Sequence, residues 1–324
     1  MQALTHYAQL VEQGLHQVVD KDTPANLYEP MRYLLKLSAK RLRPALLLMA
    51  CEQCGGTATH ALPAAYAIEL FHNFTLMHDD IMDNAPLRRG KETVHEKWNK
   101  NIAILSGDAL YTLAMEQLCT IPTNTSKLLK LFTTTAIEVC EGQQLDMDYE
   151  QAAGLSIPDY VNMIRLKTAV LVGASLKMGA IVANAEENVC NTLYDFGMQI
   201  GIAFQLQDDL LDAYGDENFG KQLGGDILAN KKTFLLLKAL ECANIDQYDL
   251  IADLLANKKE KYNTYEKVKK MLAIYNDLQI KEQTLTEVEK YKQAALQALE
   301  NANFSFTQKL AFIDFAELLM KRKI

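Results

Sequence analysis

The chain has 324 residues, 49% of them hydrophobic, with 41 acidic side chains against 33 basic ones. That balance argues against a general nucleic-acid-binding surface, so any anion site must be a concentrated basic cluster. No segment reaches the ~18 uninterrupted apolar residues of a membrane span, which argues against an integral membrane protein.

With only seven prolines and 15 glycines, the chain has few places to end a helix. Leu, Ala, Lys, Glu, Gln and Met recur throughout, so it reads as mostly α-helical. No Pro/Gly/Ser-rich linker interrupts it, and the expectation is one domain over residues 1–324. The opening MQALTHYAQLVEQ has neither a basic stretch nor an apolar run, so no secretory signal is read there and a cytoplasmic location is expected. Apolar periodicity predicts helices over 3–19, 26–38 and 43–54, with the basic SAKRLRP at 38–44 in the break before the third. Cys51 and Cys54 form a CxxC, but no second pair or nearby His cluster completes a zinc site, so the six cysteines read as reduced thiols. Helices follow over 61–83, 101–119, 124–149, 158–183 and 187–213, then over 231–243, 247–256, 261–300 with an internal break, and 305–322. Pro44, Pro63 and Pro158 fall where a first helical turn tolerates proline, and Pro86 lies just past a helix end. No β pattern competes.

One motif occurs twice. Asp79-Asp80-Ile81-Met82-Asp83 closes the helix over 61–83, and Asp208-Asp209-Leu210-Leu211-Asp212 closes the one over 187–213. Residues four apart stack on one helix face with Cβ atoms roughly 6 Å apart, so Asp79 pairs with Asp83 and Asp208 with Asp212. Like charges at that spacing repel, and something should compensate them. Hard divalent cations take such oxygen ligands, and magnesium bridges one or two carboxylates to a substrate phosphate while keeping waters. A single DDxxD would more often be a solvated helix end. Both copies, however, follow segments that are apolar nearly all round, AAYAIELFHNFTLMH and LYDFGMQIGIAFQLQ, which implies buried helices. In the first, steps of about 100° put Ile68, His72, Thr75, Asp79 and Asp83 on one stripe. Arg88 and Arg89 come just beyond it, and guanidinium forks suit phosphate. Together these residues describe a diphosphate site.

The same residues resemble the trans-isoprenyl diphosphate (polyprenyl) synthase family, short-chain type. KRLRP at 40–44, HDDIMDNAPLRRG at 78–90, GQQLD at 142–146, KTA at 167–169, FQLQDDLLDAYGD at 204–216, GK at 220–221 and KKT at 231–233 stand in the family's order. The resemblance covers residues 25–240 or so; one departure is Ser38-Ala39, where the family has Gly-Gly. It implies an all-α isoprenoid synthase fold, a single-domain bundle of ten or more helices around a deep central cavity, with the two DDxxD motifs on facing helices. The activity implied is a prenyltransferase reaction, the magnesium-dependent head-to-tail condensation of isopentenyl diphosphate with an allylic diphosphate, giving geranylgeranyl or farnesyl diphosphate and releasing diphosphate.

Carried over position by position, the resemblance gives Asp79, Asp83, Asp208 and Asp212 to three magnesium ions that bridge the allylic diphosphate. Arg88, Lys167, Lys221 and Lys231 would contact that diphosphate, while Lys40, Arg43, His72 and Arg89 would hold isopentenyl diphosphate. Thr168 and Gln205 would line the reacting centre, with Gln143 and Asp146 on the same wall. Asp80 and Asp209, off the stripe, would act as supporting groups. Stabilising charge on the departing diphosphate and excluding water from the allylic cation account for both the charged and the oily residues. Lys167 on an apolar helix favours a functional place, because a buried unpaired ammonium is costly. His72 taken alone could equally be a core histidine.

In the family a bulky residue five positions before the first aspartate motif floors the cavity for the growing chain; here it is Phe74, with Phe71 one turn earlier and the small Thr75 beside it. The helical wheel instead puts Phe71 nearer the carboxylate stripe, about 80° away against 140°. Following the family rule, a twenty-carbon product is preferred over a fifteen-carbon one. A terpene cyclase of the same fold, a non-catalytic partner subunit and a head-to-head squalene-type synthase, which lacks the RLRP and RRG context, are the alternatives. The second DDLLD counts against the first, and the complete set of aspartates and basic residues against the second. A homodimer is expected from the family, with the helices over 101–119 and 124–149 available for an interface. The terminal Lys321-Arg322-Lys323 reads as a solvated end.

Overall fold

The computed structural model describes residues 2–215, 224–256 and 262–320. Among them, helices account for nearly all regular structure. The first group comprises α1 (Gln2–Leu15), continued by a 3-10 turn at His16–Val19, then α2 (Ala25–Lys36), α3 (Leu42–Gln53) and α4 (Ala58–Met82). A small hairpin, β1 (Leu87–Arg88) and β2 (Lys91–Glu92), and a single turn, α5 (Val94–Lys97), lead into α6 (Lys100–Cys119) and α7 (Thr125–Gln151). Next come α8 (Ile157–Ile164), a π-helical stretch at Arg165–Ala169, α9 (Val170–Val182) and α10 (Glu187–Tyr214). The described chain closes with α11 (Gly225–Ala229), α12 (Phe234–Cys242), α13 (Ile245–Leu255), α14 (Thr264–Asp277), α15 (Ile280–Leu299) and α16 (Phe306–Met320).

The described residues form two compact units, Met1–Thr135 with Leu171–Tyr194, and Ala136–Val170 with Asp195–Ile324. The first is organised around α4, which contacts α1, α2, α3, α5 and α6. Its alanines at 61, 64, 65 and 67 are fully buried, as are Ile68 and Leu70, so small side chains let neighbouring helices approach this part of α4 closely. In the second unit α12 contacts α8, α14 and α15, and α14 contacts α11 and α13. Phe196 of α10 meets Phe312 of α16 edge to face at 5.7 Å, which anchors α16 in that core.

Local chemistry accounts for three of the helix starts. Ser156 and Asp159 form a reciprocal capping box on α8, and Asn244 with Gln247 and Asn263 with Glu266 do the same for α13 and α14. The break expected within 261–300 falls at Leu278-Gln279, where Gln279 turns left-handed at φ 53°.

Several expectations need correction. The hairpin contradicts the absence of strands: two-residue strands are too short for any periodicity to register. The helix expected over 158–183 is interrupted by the π-helical stretch, whose composition is as helical as its flanks. The α4 helix begins at Ala58, which places Pro63 in its second turn rather than its first. The helix expected from 231 begins at Phe234, and α11 is an additional short helix. No helix among the described residues is long and apolar enough to cross a membrane.

Candidate active site

In the first unit the candidate site starts at the end of α4. Asp79 is half-buried in the last turn and Asp83 is the exposed C-cap, its N–H bonded to the Asp79 carbonyl at 2.9 Å. Asp80, between them, points the other way and is 2% exposed. Arg88 meets it with Nε 2.9 Å from both carboxylate oxygens and Nη2 2.8 Å from Oδ1. The hairpin makes this contact possible. Arg89 and Gly90 both take positive φ, 53° and 73°, the pattern of a tight two-residue hairpin turn, and the register pairs Arg88 with Lys91.

Arg89 leaves the turn to donate to the Leu37 carbonyl at 3.4 Å. That carbonyl belongs to the loop carrying Lys40, which is exposed, and leading to Arg43. Arg43 donates Nη1 to His72 Nε2 at 3.3 Å. A guanidinium can only donate, so Nε2 accepts and His72 is neutral with its proton on Nδ1. Burial, reinforced by the guanidiniums of Arg43, Arg89 and Arg88, pushes the His72 pKa well below its ordinary value. Of the four residues predicted to hold isopentenyl diphosphate, Arg43 and His72 are thus in direct contact, and Arg89 is tied to the same loop.

Phe71 and Phe74 belong to one aromatic cluster. Phe71 is 1% exposed and lies 5.6 Å from Phe74, 5.8 Å from Tyr111 and 5.3 Å from Phe132, ring centre to ring centre. Phe74, half-buried, adds Tyr111 at 5.4 Å and His78 at 4.7 Å. Phe74 is thus the less buried ring, with Phe71 packed behind it. Gly107 on α6 makes room, since a Cβ there would sit 2.6 Å from His78 Cδ2. Thr75 spends its hydroxyl on the His72 carbonyl at 2.8 Å.

The second unit contains a cavity of about 150 Å³. Lys167, Thr168, Gln205 and Lys231 line it together, with Asp146, Tyr160, Asp209 and Asp226 among the other walls. Lys167 is not the unpaired ammonium expected from its apolar surroundings: its Nζ lies 2.6 Å from Asp146 Oδ2, both half-buried. Thr168 donates to Gln205 Oε1 at 3.1 Å. Both Lys167 and Thr168 sit in the π-helical stretch, a wider turn of the kind that recurs at functional sites. Two glycines hold that stretch. A Cβ at Gly142 of α7 would lie 2.7 Å from Lys167 Cα, and one at Gly201 of α10 would lie 2.6 Å from Ala169 Cα. The glycine of GQQLD is therefore a point of backbone contact, while Gln143 beside it is buried.

Asp208 is half-buried on α10, and Asp209 is buried beneath it, accepting from the Tyr160 hydroxyl and from Gln205 Nε2 at 3.2 Å. Burial, with the Asp226 carboxylate nearby, holds the Asp209 pKa well above the usual carboxylate range. Asp212 accepts the Asp226 N–H at 2.9 Å, capping α11. The α11 helix ends at Asn230, and the Lys231 N–H returns to the Asp226 carbonyl at 2.9 Å. Lys221 and Lys321-Arg322-Lys323 lie outside the described residues.

Sequence reasoning missed Tyr160, Asp226, Tyr111 and Phe132, none of which stands in a motif that it used. It also passed over Arg41, although a lone Glu69 in the apolar AAYAIELF called for a cationic partner.

Comparison with known proteins points the same way. The family model described as polyprenyl synthetase matches residues 24–274. The geranylgeranyl diphosphate synthase of Methanosarcina mazei is 41% identical over 235 residues, covering 71% of this chain and 72% of that protein. A crystal structure of a geranylgeranyl pyrophosphate synthase superposes with a TM-score of 0.94 at 44% identity, covering 100% of both chains. A polyprenyl synthase from Caulobacter crescentus CB15, complexed with calcium and isoprenyl diphosphate, superposes with a TM-score of 0.88 at 27% identity, covering 100% of this chain and 98% of that one.

Proposed function

The chain belongs to the polyprenyl synthetase family and is a short-chain trans-isoprenyl diphosphate synthase, an enzyme of the prenyltransferase class; from that premise we propose that it makes geranylgeranyl diphosphate by magnesium-dependent addition of isopentenyl diphosphate to allylic diphosphates. The observation that carries this reading is the second-unit cavity, into which Lys167, Thr168, Gln205 and Lys231 open together. Lys167, Lys231 and Lys232 share this hollow with Thr168, Gln205 and the carboxylates of Asp146, Glu150, Asp209 and Asp226, a mixture that offers cations to a diphosphate and hard oxygens to the metal that accompanies it.

Each aspartate motif supplies a pair of hard oxygen donors, Asp79 with Asp83 and Asp208 with Asp212. Two carboxylates leave most of an octahedral shell to water and phosphate oxygens, which is how magnesium is commonly held at a diphosphate. The donor chemistry therefore fits the metal, and Asp79, Asp83, Asp208 and Asp212 would hold the magnesium ions, three in this reading. When bound, magnesium supplies Lewis-acid stabilisation of charge on the departing diphosphate. Arg88, Lys167, Lys221 and Lys231 are the cations this reading assigns to the diphosphate. Lys40, Arg43, Arg89 and neutral His72 would bind isopentenyl diphosphate. We take residues 1–324 as one catalytic domain.

The aromatic cluster supports the twenty-carbon product, with Phe74 stopping the chain and Phe71, Tyr111 and Phe132 bracing it. Exposed Ile104 and Leu105 on α6, and Ile137 on α7, supply apolar area for the homodimer. Six free cysteines fit the reducing cytoplasm. Chelating divalent metal from purified protein during steady-state turnover should stop diphosphate release, and added magnesium should restore it. Release that continues through chelation would refute the metal-dependent reading.

A further inference from the structure

Arg41 lies between two residues assigned to the isopentenyl diphosphate pocket, Lys40 and Arg43, yet its own side chain turns inward and is 4% exposed. Its guanidinium donates to Glu69 of α4 at 2.6 Å and to Glu12 of α1 at 2.8 Å. A further N–H reaches the Leu35 carbonyl in the last turn of α2. Glu69 is buried as well, and its Oε1 also accepts from Asn73 Nδ2 at 3.0 Å. One guanidinium thus ties α1, α2 and α4 together.

The backbone of Arg41 is equally specific. It sits at φ 45°, ψ 40°, left-handed territory that residues with a Cβ seldom enter, and its carbonyl accepts the Ala45 N–H at 3.1 Å to begin α3. Such a conformation persists where the surroundings over-determine it, and here the two carboxylates do so. The turn they enforce decides where its neighbours project. Arg43, two residues on, reaches His72 at 3.3 Å, and His72 lies about one helical turn beyond Glu69 on α4. The Arg41–Glu69 pair therefore sets the register of both partners of the Arg43–His72 contact.

We propose that Arg41, acting through Glu69, is a positioning residue for the isopentenyl diphosphate half of the reaction: it does not touch substrate, but aims Lys40 and Arg43 at it. This rests on the function proposed above. The test is the double variant Arg41→Gln/Glu69→Gln, which removes both charges at once and leaves no lone ion buried. The KM for isopentenyl diphosphate and the KM for the allylic substrate are measured separately, with the melting temperature alongside. The expected result is a rise of about tenfold or more in the first KM, the scale of one lost charge-assisted hydrogen bond, with the second within about twofold of wild type. Should that variant not fold, Glu69→Asp decides instead, because it keeps the charge and withdraws the carboxylate by one methylene; the same split in KM is expected. Unchanged KM values, or a parallel rise in both, would overturn the proposal. Wild-type protein that incorporates no isopentenyl diphosphate would instead overturn the functional reading itself.

Discussion

Arg88 holds Asp80 through both carboxylate oxygens, with Nε 2.9 Å from each and Nη2 2.8 Å from Oδ1. The middle aspartate of the first motif is thereby committed to a cation, leaving Asp79 and Asp83 as the pair proposed for metal. Replacing Asp80 by Asn keeps the shape but removes the charge that fixes the guanidinium. Breaking a buried pair costs about 3 kcal/mol at the low end, and the partly exposed Arg88 argues for that end. We expect Asp80→Asn to lower the melting temperature by several degrees and kcat/KM for the allylic substrate by about tenfold or more. Thermal unfolding and steady-state kinetics would check both; an unaltered kcat/KM would show that Arg88 does not depend on Asp80.

The two phenylalanines should separate in their effects. Phe71→Ala removes a ring that is 1% exposed and should cost about 3–5 kcal/mol. Phe74→Ala, at a half-buried ring, should cost less and lengthen the product. Denaturant unfolding and sizing of extracted products distinguish the two. Equal destabilisation with unchanged product length would remove Phe74 as the chain stop.

Gly142→Ala should act at a distance along the chain. Its new Cβ would meet the backbone of Lys167, with Lys167 Cα at 2.7 Å, and neither backbone can yield as a side chain would. Overpacking of this kind costs about 1–3 kcal/mol, and displacement of the π-helical stretch should lower kcat by at least about tenfold. Stability that falls while kcat holds would separate the glycine from catalysis.

His72 links stability to pH. Its folded pKa is depressed, so below its ordinary value near 6.5 the unfolded chain binds the proton more readily than the folded one. The stability it contributes is complete above about pH 6.5 and declines as pH falls through that value, by up to about 1.4 kcal/mol at one unit lower. Urea unfolding at pH 7.5 and 5.5 should show that loss in wild type and a smaller one in His72→Gln. Identical losses would place the titration elsewhere.

How much of this was legible depended on periodicity. Asp79, Asp83, Asp208 and Asp212 were visible because a helix repeats every ~3.6 residues and carboxylates four apart stand out against apolar neighbours. The Arg89-Gly90 turn was not, since two-residue strands carry no repeat, and the signal lay in two consecutive residues at positive φ. The π-helical stretch around Lys167 keeps helix-forming composition and differs only in its hydrogen-bond register. Arg41 read as one more charge in a basic run, because sequence alone does not say which of three adjacent cations turns inward. The aromatic cluster was half legible: Phe71 and Phe74 lie in the motif's own helix, whereas Tyr111 and Phe132 come from α6 and α7 and meet them only in the folded chain.

The most direct measurement follows labelled isopentenyl diphosphate. Purified protein given geranyl diphosphate and magnesium should move the label into a linear twenty-carbon diphosphate, releasing one diphosphate for each unit added. Label left wholly in isopentenyl diphosphate, or an unlabelled cyclic hydrocarbon formed from the allylic substrate alone, would contradict the account.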